Sequence, residues 1–126
     1  MPRKKSANPT DGELAILRVL WDCGPSTVRQ VHAAINEESE TGYTTTLKIM
    51  QIMTEKGLVS RDESERTHIY QAAANESEVQ KNLADDLLEK AFGGNTAGLV
   101  QCLAEHGRIK SSDIERLRKI LKGKGE

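Results

Sequence analysis

Thr44, Thr45, Leu47, Lys48 and Gln51 bring together hydroxyls, an amine, an amide and an aliphatic group within two helical turns. A helix running from Tyr43 or Thr44 to Lys56, stepped at about 100° per residue, puts Thr46, Ile49, Met50 and Met53 on one face. Thr44, Leu47, Lys48, Gln51 and Glu55 then lie opposite, with Thr45 and Ile52 at the flank. Such a face suits the major groove of DNA. Glutamine can pair with adenine, lysine with guanine or phosphate, and an aliphatic side chain can meet the thymine methyl. Groove-reading helices make base contacts from their N-terminal half, where these residues sit. A solvated surface with one exposed leucine fits the same wheel, so both readings stay open at this point. Arg61 and Arg66 would suit phosphate or minor-groove contact from a hairpin, although Asp62, Glu63 and Glu65 crowd the same turn. His68 reads first as a hydrogen-bonded strand residue.

Other chemistry finds little support. His32, His68 and His106 fall in three separate elements, and no HExxH, GxGxxG or phosphate-loop pattern occurs. The convergent acid, base and nucleophile that catalysis needs are missing from the sequence, so the expectation is a protein that is not an enzyme. Cys23 and Cys102 stand far apart and outside any metal-binding spacing. They are expected as free, partly buried thiols in a reducing compartment, with no metal and no cofactor.

The elements that must position the Thr44–Gln51 face follow from periodicity and caps. Thr10 and Glu13 form a capping box ahead of a helix whose apolar face carries Leu14, Leu17 and Trp21, widened by Ile16 and Leu20. Gly24-Pro25 ends it, and Ser26 is placed to cap a second helix with Val28, Val31 and Ile35 in line. Gly57 suits the left-handed residue after the third helix. Leu58–Arg61 and Thr67–Gln71 alternate as two strands around a charged turn. Three helices and a hairpin in this order predict a mainly α fold with a small β-hairpin wing, a winged helix-turn-helix.

Beyond Ala74 the pattern is helical throughout. Leu83, Leu87, Leu88 and Phe92 share one face, Leu99 and Leu103 a second, and Ile114, Leu117 and Leu121 a third. Short amphipathic helices in so small a segment cannot readily hide such faces alone, and a second copy of the chain is the favoured cover. The expected organisation is a basic arm over residues 1–9, a winged helix over 10–74 and a helical dimerisation module over 75–126. Aromatic residues make up only 3% of the 126, so the core must be aliphatic. The net charge of −1 excludes a uniformly basic coat but not a local basic surface. Arg3, Lys4 and Lys5 form the arm, either a solubilising tail or a DNA-touching one. The start lacks the apolar stretch of a signal peptide, and no run is long enough to insert into a membrane, so a cytoplasmic location is expected.

The stretches Glu13–Trp21, Gly24–Val31, Gly42–Met50, Glu55–Val59 and Leu87–Gly94 together resemble the penicillinase-repressor (BlaI/MecI) family of winged-helix transcriptional repressors. The resemblance covers nearly the whole chain beyond Pro9 and implies a homodimer that binds an inverted-repeat operator in double-stranded DNA. It also implies that Thr44, Thr45, Leu47 and Lys48 belong to the DNA-reading helix. In penicillinase repressors a membrane zinc-protease sensor triggers cleavage in the C-terminal module after an antibiotic or cell-envelope signal. The aligned bond here is Cys102-Leu103, where the usual pair is Asn-Phe. The cysteine-rich tail of copper-responsive relatives is missing from this sequence. A winged helix used only for protein–protein contact is the rival expectation.

Overall fold

The structure, a computed structural model, describes residues 8–124. The basic arm residues Arg3, Lys4 and Lys5 lie outside them. The order is α1 (Asp11–Cys23), α2 (Val28–Asn36), α3 (Tyr43–Lys56), β1 (Val59–Asp62), β2 (Ile69–Ala72), α4 (Glu76–Phe92), α5 (Thr96–Glu105) and α6 (Ser111–Lys124). The chain divides into two compact units, one up to Leu83 and one from Ala84.

In the first unit, α1 starts at the capping box. The Thr10 hydroxyl accepts from the Glu13 N–H at 3.2 Å, and the Glu13 carboxylate accepts from the Thr10 N–H at 2.9 Å. The buried stripe of α1 is Glu13, Ile16, Leu17 and Leu20. Leu14 and Trp21, expected at its centre, lie at its half-buried edges. Those buried aliphatics pack with Val28, Val31, Met50, Met53, Val59 and Tyr70 into one core. Gly12 lets α3 come close, since a Cβ there would stand 3.3 Å from Ile49 Cδ1. Gly57, at φ +83°, takes the left-handed cap that turns α3 into β1.

Strands β1 and β2 pair antiparallel with Arg61 opposite Tyr70 and Val59 opposite Ala72. Both begin later than alternation suggested, at Val59 and Ile69, which moves Asp62 from the turn into β1. Ser26 adds a short third rung. Its N–H donates to Tyr70 O at 2.9 Å, and the Tyr70 N–H donates back to Ser26 O at 2.8 Å. That pairing explains why Ser26 does not cap α2. Thr27 does so instead, in a second capping box with Gln30. Helices α1–α3 with this hairpin form a winged helix.

Glu13 is the charged residue buried beside the core among the described residues, 3% exposed, with Ser26 and Thr46 the buried neutral polar ones. Lys56, at the last turn of α3, donates to its carboxylate at 2.7 Å and fastens the start of α1 to the end of α3. Burial pulls the carboxyl pKa upward, but the Lys56 hydrogen bond, the Thr10 contacts and the Lys56 charge together hold it below the ordinary glutamate range. A depressed carboxyl pKa adds stability that is present above the unfolded-state value and lost as pH falls through the folded one. Glu13→Gln should therefore lower the unfolding free energy by about 1 kcal/mol near neutral pH. The variant should also lose less stability than the parent on acidification below the glutamate range. Denaturant titrations at the two pH values check this, and parallel losses in both proteins would contradict it.

In the second unit, Asn95 caps α5 by accepting from the Gly98 N–H at 3.0 Å. The Lys110 N–H donates to the Asp113 carboxylate at 2.9 Å at the start of α6. Among the described residues from Ala84 onward none is buried. Val100, Leu103, Ile109, Leu117 and Ile120, with Asp113 and Arg116, line an open groove of about 360 Å³. Among the described residues, no helix is long and apolar enough to cross a membrane.

Candidate nucleic-acid interface

Helix α3 presents its two faces as the wheel required. Thr46 and Met50 and Met53 are buried, while Thr44, Thr45, Lys48 and Gln51 are exposed. Ile49 is only half-buried, at the rim of the core. Leu47 departs from the expectation of an exposed leucine. It is half-buried against the core and lines the wall of a cleft rather than the crest of the helix. No side chain caps α3, whose first turn follows Gly42 in extended conformation.

The cleft, about 460 Å³, runs between α3, the start of α2 and the hairpin. It brings Leu47 and Gln51 together with Arg61 and Arg66. Arg29, Tyr43, Thr27, Thr67 and His68 complete much of its wall, and among the described residues lining it none is acidic. The acidic crowding expected at the hairpin thus falls outside the cleft, because Asp62, Glu63 and Glu65 do not line it. Thr44, Thr45 and Lys48 lie on the exposed surface of α3 outside its lining.

Arg61 is held from two sides. Its Nε donates to the Glu63 carboxylate at 2.6 Å, and Nη1 reaches the Tyr70 hydroxyl at 3.5 Å, with the guanidinium 6.0 Å from the Tyr70 ring centre. The Tyr70 hydrogen bond, then Glu63, pushes its pKa further up. At the turn, the Ser64 N–H donates to Asp62 at 2.9 Å and draws that carboxyl pKa down. Arg66 is exposed and His68 half-buried.

Arg29 is a charged cleft residue that helix periodicity missed, as it missed Thr27 and Tyr43. It sits on the polar side of α2, and nothing local marks it as facing α3. Its pairing with Tyr43 arises only from the crossing of α2 and α3, so no sequence signal could have found it.

The remaining sequence-selected residues belong to the C-terminal helices. Leu83, Leu88, Phe92 and Leu99 are half-buried, and Leu87, Leu103, Ile114, Leu117 and Leu121 are exposed. Val100 and Ile120 are equally exposed apolar residues, at 47% and 50%. Cys102 is half-buried in α5, with its sulfur 3.8 Å from His106 Nδ1, and Cys23 is exposed rather than partly buried.

A family description, penicillinase repressor, matches residues 9–123 of the chain. The chain belongs to the penicillinase repressor family. It is 32% identical over 114 residues to a Mycobacterium tuberculosis protein named transcriptional regulator BlaI, covering 88% of this chain and 80% of that one. It is 23% identical over 109 residues to a Staphylococcus aureus penicillinase repressor, covering 86% of each. A solution structure of the DNA-binding domain of the repressor BlaI superposes with a TM-score of 0.52 at 21% identity, over 60% of this chain and 93% of that domain. The family is one of transcriptional repressors and not of enzymes. That likeness bears on the winged-helix fold of α1–α3 and the hairpin.

Proposed function

We propose that the protein is a cytoplasmic homodimeric repressor that binds an inverted-repeat operator in double-stranded DNA. The outward side of α3 (Thr44, Thr45, Lys48 and Gln51) enters the major groove, and Leu47 meets a thymine methyl from the cleft wall. Arg61 and Arg66 reach the flanking backbone from the hairpin. The observation that carries this reading is the cleft beside α3, lined by Arg29, Arg61, Arg66 and His68 and by no described acidic residue. Three arginines in one cleft, only Arg61 of them paired with a carboxylate among the described residues, give a chain of net charge −1 a local field suited to phosphates. A protein–protein module would not need that segregation.

Two copies joined through the C-terminal helices would present two reading helices to the two half-sites. The exposed Leu87, Leu103, Ile114, Leu117 and Leu121 support this, with Leu83, Leu88, Phe92 and Leu99 at the margins of the same surfaces. Apolar side chains so open in one copy fit a surface that a second copy covers.

Release by proteolysis at Cys102-Leu103, under a membrane zinc-protease sensor that answers an antibiotic or cell-envelope signal, completes the proposal. That bond lies inside α5. The Cys102 carbonyl accepts from the His106 N–H at 3.2 Å and the Leu103 carbonyl from the Arg108 N–H at 2.9 Å. Cutting there requires α5 to open first, so the rate would follow local unfolding.

A gel-shift titration against the protein's own promoter region at low salt tests the central claim, since counterion release favours binding most there. A clear shift with Lys48→Ala weaker by roughly tenfold, at unchanged thermal stability, is the expected result. No shift by the parent protein at low salt would sink the repressor reading. An unaltered dissociation constant for Lys48→Ala would remove Lys48 from the interface.

A further inference from the structure

We propose that Arg29 contacts a phosphodiester of the operator backbone and that Tyr43 is the positioning residue that aims it there. The proposal rests on the operator-binding reading above and names a contact that helix periodicity did not reveal.

A relay of side chains runs from the buried side of α3 to the rim of the cleft. Thr46 is 1% exposed, and its hydroxyl lies 3.3 Å from His32 Nδ1. The His32 ring meets the Tyr43 ring edge-on, with centres 5.5 Å apart and planes at 79°. The Tyr43 ring in turn carries the Arg29 guanidinium, whose Cζ stands 5.8 Å from the ring centre. The inner end of the relay is fixed in the core, while Tyr43 is 42% exposed and Arg29 is exposed. A cation over an aromatic face at this distance is attracted to it, so the ring narrows the positions open to an otherwise loose side chain. The flat guanidinium can stack and still offer its N–H edge to two oxygens of one phosphate.

The charge pattern selects the ligand. Arg61 shares its guanidinium with Glu63, but among the described residues no carboxylate pairs with Arg29. Arg29 lines the same cleft as Gln51, Arg61 and Arg66, again with no described acid in the lining. It lies on α2, off the base-reading helix, and the helix preceding a recognition helix crosses the DNA backbone. A phosphate is therefore the group within its reach, rather than a base edge.

The test uses full-length protein and promoter DNA over a series of salt concentrations. Removing one phosphate contact should reduce the slope of log K against log[salt] by about 0.9 for each Arg29 that reaches the operator. The same change should weaken binding on the order of tenfold per contact near 0.1 M salt. Arg29→Ala should show both effects, equally on operators with altered bases, and should melt at the parent temperature. Arg29→Lys should regain most of the slope but only part of the affinity. Arg18→Ala, on α1 and outside the cleft, serves as the control for loss of a surface cation. The Arg29→Ala effect should shrink in a Tyr43→Ala background, because two members of one relay are not additive.

An unchanged slope for Arg29→Ala, an Arg18→Ala loss of equal size, or a loss confined to one altered base would overturn the phosphate contact. Strict additivity with Tyr43→Ala would overturn the positioning role. Failure of the parent protein to bind at low salt would overturn the repressor reading instead, which keeps the two failures apart.

Discussion

A chain that stops after Leu83 is expected to bind operator DNA on the order of 10² to 10⁴ times more weakly than the full-length protein, while still folding. The winged helix keeps its own core of Ile16, Leu17, Leu20, Met50, Met53, Val59 and Tyr70, and the compact unit that holds it ends at Leu83. Ending the chain at Ala74 would also remove Val79, which is 8% exposed within that unit, and would confound the result. The large loss arises because a tethered second reading helix binds at an effective concentration far above its free one. Untethered, each domain must find its half-site alone. Analytical ultracentrifugation should give a dimer for the full chain and a monomer for the truncated one, with fluorescence anisotropy reading the affinity. Equal affinities, or a full-length monomer, would remove the C-terminal helices from the binding argument.

Met50→Ala is expected to lower the unfolding free energy of the winged helix by about 2–5 kcal/mol. Met50 is fully buried on the inner side of α3, and its removal leaves a void among side chains that touch both α1 and the hairpin. For a unit of this size the midpoint should fall by some 4–8 °C for each kcal/mol lost. Operator affinity measured well below that midpoint should stay near the parent value, because Met50 points away from the groove-reading side. Lys48→Ala should give the opposite pair of results. A helix on which one residue governs stability and another, two positions earlier, governs affinity has separated its two tasks by face. If Met50→Ala weakened binding as much as it lowered the melting temperature, that separation would fail.

Much of this was legible in the chain. Local rules suffice for the Thr10–Glu13 box, the left-handed Gly57 and the inner and outer faces of α3, because each depends on neighbours within one or two helical turns. What escaped depends on partners distant in sequence. Glu13 reads as an ordinary capping residue until Lys56, 43 positions away, makes it the buried member of an ion pair. Ser26 has the chemistry of an N-cap but is drawn into the sheet by Tyr70. Leu47 falls on the polar side of the wheel, yet the cleft between α3 and the hairpin gives that side a half-buried flank. Arg29 is likewise ordinary until α2 and α3 cross and bring Tyr43 beneath it. Residue pattern captured the faces of the elements, and their crossings decided which exposed groups converge.

The single tryptophan, Trp21, donates its indole N–H to Ala74 O at 3.1 Å, where the chain leaves the hairpin. Both tyrosines, Tyr43 and Tyr70, belong to the same unit. Tryptophan and tyrosine emission from this protein therefore comes wholly from the unit that holds the winged helix, and Phe92, the aromatic residue of the other unit, is not excited at the longer wavelengths used for those two. Emission and far-ultraviolet circular dichroism, followed together during a melt, would record the winged helix alone and both units respectively. Any gap between the two curves would show the order in which the units come apart, with no dye attached and no residue replaced.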